Sequence, residues 1–276
     1  MKIKCLKLPL LLATICTLAA CATLEAEKQA AAPVPEIMPG VLQGYLPMKP
    51  ALQSVVFVPA APQEDSARQQ LDDAVSAYSL TLRDTPRWEM AQHDAHLSFP
   101  AAADTFSCAL DIPISETETP ALYMLLRRTL SDIGLASYSA KNAYSRPRPF
   151  MVNDEPTCTP DKEENLRTDG SYPSGHTAIG WGWALMLAEL APDRAEAVLV
   201  RGRAYGESRI VCNVHWYSDV VAGRMVGAAA VATLHANAEF VAAMVAARED
   251  IASARKSGLQ ATGDCAPELE NLSFGL

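Results

Sequence analysis

Three short segments hold residue types that bind an anion and break a bond to it. In Lys141-Asn-Ala-Tyr-Ser-Arg-Pro-Arg148-Pro149, Lys141 falls in the last turns of an expected helix and Arg148 just beyond it, so two cations approach one point from different backbone directions. Gly170-Ser-Tyr-Pro-Ser174-Gly175-His176-Thr177 leads into another helix. There Gly175 admits a ligand close to the backbone, Ser174 offers a hydroxyl, and the helix N-terminus presents unpaired N–H groups to an anion. His176 stands where an acid could protonate a leaving oxygen. In Ser208-Arg209-Ile-Val-Cys-Asn-Val-His215-Trp-Tyr-Ser-Asp219, His215 and Asp219 are four apart and would share a helical face. The carboxylate then takes the Nδ1 proton and leaves Nε2 as a nucleophile. Taken singly, each segment has an ordinary reading: solvated charges at a helix end, a plain N-cap with a surface histidine, an exposed His/Asp pair.

Helices must bring the three segments together. After Asp65, the residues Leu71, Ala74, Val75, Tyr78 and Leu82 fall on one helical face, and a second helix starts near Thr85-Pro86. Thr119-Pro120 opens a helix carrying Leu122, Leu125, Leu126, Leu130 and Ile133, with an end or bend expected at Gly134. Leu135 to Tyr144 continues as helix until Pro147 and Pro149, and Met151 to Gly170 reads as a long polar loop. Further helices are expected over Ser174 to Leu190, Pro192 to about Glu207, His215 to Leu234, and Asn237 to Ala254 with Asn237 as N-cap. The stretch Val220 to Ala247 has the apolarity of a membrane span, but Arg224, His235 and Glu239 interrupt it, which favours a core helix and a turn. No strands alternate with these helices, and no repeat is evident.

Composition narrows the classes. The 276 residues are 49% hydrophobic and 20% charged, enough to bury a core. Lys+Arg 23 against Asp+Glu 32 gives a net charge of -9, so a basic surface for nucleic acid is excluded and any anion site must be a local cluster of cations. Residues 1–20 carry Lys2, Lys4 and Lys7 ahead of the apolar Leu8 to Ala20, the pattern of a secretory signal. Leu18-Ala19-Ala20-Cys21 resembles the lipobox of bacterial lipoproteins, which implies lipidation of Cys21. With Ala22 next, it also implies a periplasmic protein tethered to the outer membrane; the alternative is a soluble periplasmic chain after ordinary cleavage. Residues 21–61, rich in Pro and Ala, read as a tether with order left open in its later half, 62–256 as the catalytic domain and 257–276 as a tail. Of seven cysteines, Cys108, Cys158, Cys212 and Cys265 remain after the signal and the lipid site. None of these pairs has C-x2-C spacing, so disulfides are favoured over a metal site, with three pairings open.

Together, Lys-x6-Arg-Pro, Pro-Ser-Gly-His and Ser-Arg-x5-His-x3-Asp, in that order, resemble the signature of the type 2 phosphatidic acid phosphatase and vanadium haloperoxidase superfamily. Gly-Ser-Tyr-Pro-Ser-Gly-His-Thr is similar to the class A bacterial non-specific acid phosphatases. The resemblance implies an all-α fold, a single helical-bundle domain with the site inside it. It implies phosphate binding by Lys141, Arg148, Ser174, Gly175 and Arg209, and a phosphohistidine at His215 oriented by Asp219. His176 becomes the acid and then the base, protonated beside a neutral His215, with an acidic optimum. Small phosphomonoesters are the substrates implied, with transfer to another hydroxyl open, no metal or other cofactor, and dimers or larger homo-oligomers. It also implies pairing of Cys158 with Cys212, leaving Cys108 with Cys265. The alternatives are a vanadate-dependent haloperoxidase using the same cradle, a lipid phosphatase at the membrane surface, and a catalytically silent anion-binding lipoprotein. Elsewhere, His93, Asp94 and His96 lack a further metal ligand and read as helix surface, His235 reads as structural, and Trp181, Trp183 and Trp216 line either the site entrance or the core.

Overall fold

A computed structural model of the chain describes residues 33–48 and 52–273; the expected signal and Cys21 lie outside them. The elements follow in the order β1 (Glu36–Met38), β2 (Val41–Leu42), α1 (Ser54–Phe57), α2 (Ala67–Leu80), α3 (Pro86–His93), α4 (Ala101–Asp104), α5 (Ser107–Leu110) and α6 (Pro120–Ala136). Then come α7 (Tyr138–Tyr144), α8 (Phe150–Asn153), α9 (Glu163–Arg167), α10 (Gly175–Leu190), α11 (Ala195–Val211), α12 (Tyr217–Leu234), α13 (Ala238–Lys256) and α14 (Ala266–Glu270). The architecture is all-α apart from the β1–β2 hairpin, which pairs antiparallel and turns at Gly40 with φ 76°.

Local chemistry sets most helix starts. Ser66, Ser174 and Asn237 accept from the N3 backbone N–H of α2, α10 and α13, and prolines occupy the first turns of α3 and α6. Gly134 does not end α6, which runs on to Ala136; its missing side chain leaves room for Ile179 of α10.

Helix α10 is the centre of the bundle, packed against α6, α11 and α12, while α13 lies on α6. Trp183 of α10 is fully buried, donates Nε1–H to Thr129 Oγ1 at 3.2 Å, and meets Phe99 and Phe106 edge-on. Close approach of α12 to α10 depends on small residues, since a Cβ on Gly223 would fall 2.6 Å from the Ser174 carbonyl oxygen. That contact seats the start of α12 beside the start of α10, where Ser174 N–H donates to the Asp219 carbonyl at 3.0 Å. No single helix among the described residues is long and apolar enough to cross a membrane, and α12 and α13 diverge by 99° at the turn between them.

Several boundaries differ from the sequence reading. From Val34 onward the chain is one compact unit, so residues 34–61 are not tether: Tyr45, Val58 and Ala61 are buried in the main core. The polar loop 151–170 contains α8 and α9, and α11 extends past Glu207 to carry Ser208 and Arg209 in its last turn. In α2 the buried face includes Asp72 (1% exposed), while Leu71 is 51% exposed. Apolar spacing misassigns that face because Asp72 is held inside by ion pairing and hydrogen bonds. Disulfides join Cys108 to Cys265 and Cys158 to Cys212, so the C-terminal segment is tied to α5 and the 154–169 loop to the end of α11.

Candidate active site

The three segments converge on one cavity of about 560 Å³, whose lining includes Lys141, Arg148, Gly175, His176, Arg209 and His215. Lys141 comes from the middle of α7 and Arg148 from the extended chain after it, as the prolines dictate. Arg209 projects from the last turn of α11. Its guanidinium is buried, and Nε and Nη1 have no hydrogen-bond partner among the described residues. Burial pushes Arg209 down to about 10, and nearby Arg148 adds to the shift. A buried cation with unmet donors is costly in isolation and well matched to an arriving oxyanion.

Lys141 and Arg148 share Asp169, whose Oδ2 is 3.1 Å from Lys141 Nζ and 3.2 Å from Arg148 Nη2. Arg148 is otherwise fixed by backbone: Nε donates to the Leu166 and Asp169 carbonyls at 2.9 and 3.1 Å, and Nη1 to the Val214 carbonyl at 3.0 Å. Burial, reinforced by Arg148, lowers Lys141 to about 8, although Asp169 pulls the other way.

His215 lies just before α12 rather than on it. Trp216 is the N-cap residue, Asp219 is N3, and Asp219 Oδ2 accepts the Trp216 N–H at 2.8 Å. The same oxygen is 3.3 Å from His215 Nδ1. A helix-starting contact, not a shared helical face, therefore brings the pair together. Three donors point at the two Asp219 oxygens: Trp216 N–H, His215 Nδ1–H, and Arg146 Nη1 at 2.7 Å. That donor set matches an ionised carboxylate and assigns the His215 proton to Nδ1. Nε2 then carries the lone pair, 3.2 Å from Arg148 Nη1.

His176 Nε2 is 3.3 Å from the Ala95 carbonyl and donates to it. Burial holds both histidines well below their ordinary range, and the surrounding cations hold them lower still. In the unliganded protein the expected charge on His176 is opposed by burial first and by Arg209 next. Ser174 is fully buried, and its Oγ accepts from Thr177 N and Oγ1, so it caps α10 and does not line the cavity. Gly175 does line it; a Cβ there would lie 3.2 Å from Ser137 Oγ and 3.9 Å from Lys141 Cε.

Four supporting residues are not evident from the motifs. Arg146 links Asp219 to Asp72 at 2.7 Å each, and Asp72 also accepts from Ser218. Asp169 pairs with two of the cations, Lys141 and Arg148. Asp94 accepts from Ser208 Oγ at 2.6 Å and pairs with Arg201. The hint for Arg146 is its place inside Arg-Pro-Arg-Pro; Asp72, between Leu71 and Asp73, gives none. Of the other residues singled out, His93 and His96 are exposed, His235 pairs with Glu189 at 3.1 Å, and Trp183 and Trp216 are core residues. Trp181 stacks with Arg224 and does not line the cavity. Among the described residues no group of His, Cys, Asp or Glu could hold a metal ion.

The model of the PAP2 superfamily matches residues 120–241. The chain is 41% identical over 213 residues to a non-specific acid phosphatase of Providencia stuartii, covering 77% of this chain and 86% of that one. It is 40% identical over 207 residues to an acid phosphatase of Zymomonas mobilis, covering 74% and 77%. With a non-specific acid phosphatase of Salmonella typhimurium it shares 37% identity over 202 residues, covering 73% and 81%.

Proposed function

The chain belongs to the PAP2 superfamily and is an acid phosphatase, and we propose that it hydrolyses varied phosphomonoesters without a metal ion, through a phosphohistidine at His215. The observation that carries this reading is His215 itself: Nδ1 is held on Asp219, and Nε2 opens toward a cavity holding Arg148, Lys141 and the partnerless nitrogens of Arg209.

Three cations supply the positive charge that metal ions supply in many phosphoryl transfers. Substrate phosphoryl oxygens bind Lys141, Arg148 and Arg209, together with the first N–H groups of α10 at Gly175. His215 Nε2 attacks phosphorus, the bond to the alcohol oxygen breaks, and His176 gives that oxygen a proton. Water then attacks the phosphohistidine, His176 takes its proton, the P–N bond breaks, and inorganic phosphate leaves. Burial and, after it, the nearby cations disfavour charge on His176; bound phosphoryl charge offsets the cations, so substrate favours the acid form, more readily as pH falls. A hydroxyl in place of water would give phosphotransfer. Acylation at Cys21 would hold the enzyme at the outer membrane, which fractionation of wild type against Cys21→Ser tests.

The deciding assay is phosphate release from p-nitrophenyl phosphate at pH 5 to 7 with EDTA, using wild type and His215→Ala. Activity that survives EDTA and disappears in the variant supports the proposal. Activity lost to EDTA, or near-native turnover by His215→Ala, overturns it. His176→Ala should retain measurable turnover and slow poor leaving groups the most.

A further inference from the structure

The active-site cavity extends well past the phosphate cradle. Leu97, Phe99, Tyr123 and Met38 of the hairpin also line it, with Arg127 of α6 beside the two rings. Arg127 lies over two rings, 5.7 Å from the Phe99 centroid and 6.0 Å from that of Tyr123. Its Nε is buried with no hydrogen-bond partner, and no hydrogen bond or ion pair joins Arg127 to any described residue. The next residue shows the contrast: Arg128 pairs with Glu239 and donates to the Gln43 and Gly44 carbonyls. Among the described arginines, only Arg127 and Arg209 have neither a side-chain hydrogen bond nor an ion pair, and both line this cavity.

Arg209 lies beside the nucleophile, where the scissile phosphoryl group would sit. Arg127 lines the same cavity from α6, beside Phe99 and Tyr123. A guanidinium held by rings but given no acceptor keeps its donors for a ligand. The cavity wall around it is apolar, so a neutral polar leaving group would gain little there, whereas an anionic one gains a charge-assisted contact in partly desolvated surroundings.

We propose that Arg127 is a second anion-binding position that selects phosphomonoesters whose leaving alcohol carries another negative group, a carboxylate or a second phosphate. The proposal rests on the phosphatase reading above, with the alcohol portion lying between the cradle and α6. Arg127 acts on specificity only and takes no part in the bond-breaking steps.

The test compares substrates sharing one body at two reaches. Phenyl phosphate is set against 4-carboxyphenyl phosphate and benzene-1,4-diyl bisphosphate, and adenosine 3′-monophosphate against adenosine 3′,5′-bisphosphate. Wild type, Arg127→Gln and Arg127→Lys are assayed for kcat/KM. Phenyl phosphate hydrolysis should stay within about threefold of wild type in both variants, which shows that the fold and the chemistry survive. The preference for doubly anionic substrates should fall on the order of tenfold in Arg127→Gln and be largely kept in Arg127→Lys. A loss confined to the carboxylate or to the bisphosphates identifies which anion is taken. Unchanged preference in Arg127→Gln for both bodies overturns the proposal while leaving the phosphatase reading intact. Absence of phenyl phosphate hydrolysis by wild type would instead overturn that reading, and this proposal with it.

Discussion

Replacing Asp169 by asparagine tests how the empty cradle is balanced. The carboxylate bridges Lys141 and Arg148 at 3.1 and 3.2 Å, so a phosphate entering the site competes with it for both cations. Two unit charges ~5 Å apart repel by about 3 kcal/mol at an effective dielectric near 20. Asp169 is 33% exposed, and solvent screening removes at least half of that, leaving about 1.5 kcal/mol, or roughly tenfold in affinity. At pH 5.5, Asp169→Asn should therefore bind inorganic phosphate about tenfold more tightly, read as competitive inhibition of p-nitrophenyl phosphate hydrolysis. The gain should vanish in alkali. Asp169 raises Lys141, which burial has brought down to about 8, so its removal lets Lys141 lose its proton at lower pH and the gain disappears as pH approaches 8. Weaker phosphate binding at every pH would refute this reasoning and make Asp169 chiefly a brace for Arg148.

In the wild-type protein, phosphate affinity should fall as pH rises through about 8, where the buried Lys141 discharges; a flat profile to pH 9.5 would contradict this assignment. The same shift makes the charged Lys141 a cost to folding below pH 8, relieved between that value and the ordinary lysine range, so phosphate should raise Tm more at pH 6 than at pH 9. Arg146→Gln leaves Asp72 and Asp219 as buried carboxylates without their cation, a loss of about 3 to 5 kcal/mol and roughly 10 °C in Tm; a change under 2 °C would show the network to be dispensable. Opening the Cys158–Cys212 bridge by Cys158→Ser with Cys212→Ser removes a cross-link spanning 54 residues, worth about 4 kcal/mol, and loosens the loop whose Leu166 and Asp169 carbonyls fix Arg148. Both Tm and phosphate affinity should drop; an unchanged Ki for phosphate would mean that Arg148 is held without the bridge.

What could be read from the sequence follows from how local each signal is. Helix starts at Pro86, Pro120, Ser174 and Asn237 depend on capping chemistry within four residues, and all appear where that chemistry places them. The motif cations and both histidines reach one cavity because each segment sits at the end or the start of such a helix. Tertiary partners are a different matter. Asp72 reads as an exposed acid until Arg146 and Ser218, more than seventy residues away, are known to face it. The 34–61 segment reads as tether from its prolines, yet Asp132 of α6 accepts the Tyr45 and Leu46 N–H groups and draws it onto the bundle. Spacing of four between His215 and Asp219 gives the correct pair for a different reason, since the Trp216 N–H donating to Asp219 at the start of α12 sets the contact. Arg127 carries no motif at all; its lack of an acceptor shows only once its neighbours are placed.

The central claim is the covalent bond between His215 and phosphorus, and trapping it is the most direct test. Enzyme mixed with radiolabelled phosphomonoester is quenched in denaturant within milliseconds, divided between acid and alkali, and the labelled peptide is mapped. The account predicts label on the peptide containing His215, stable in alkali and lost in acid as expected of a phosphoramidate, and absent from His215→Ala. Label on another residue, or rapid turnover with none trapped under conditions where His176→Ala also accumulates none, would contradict it.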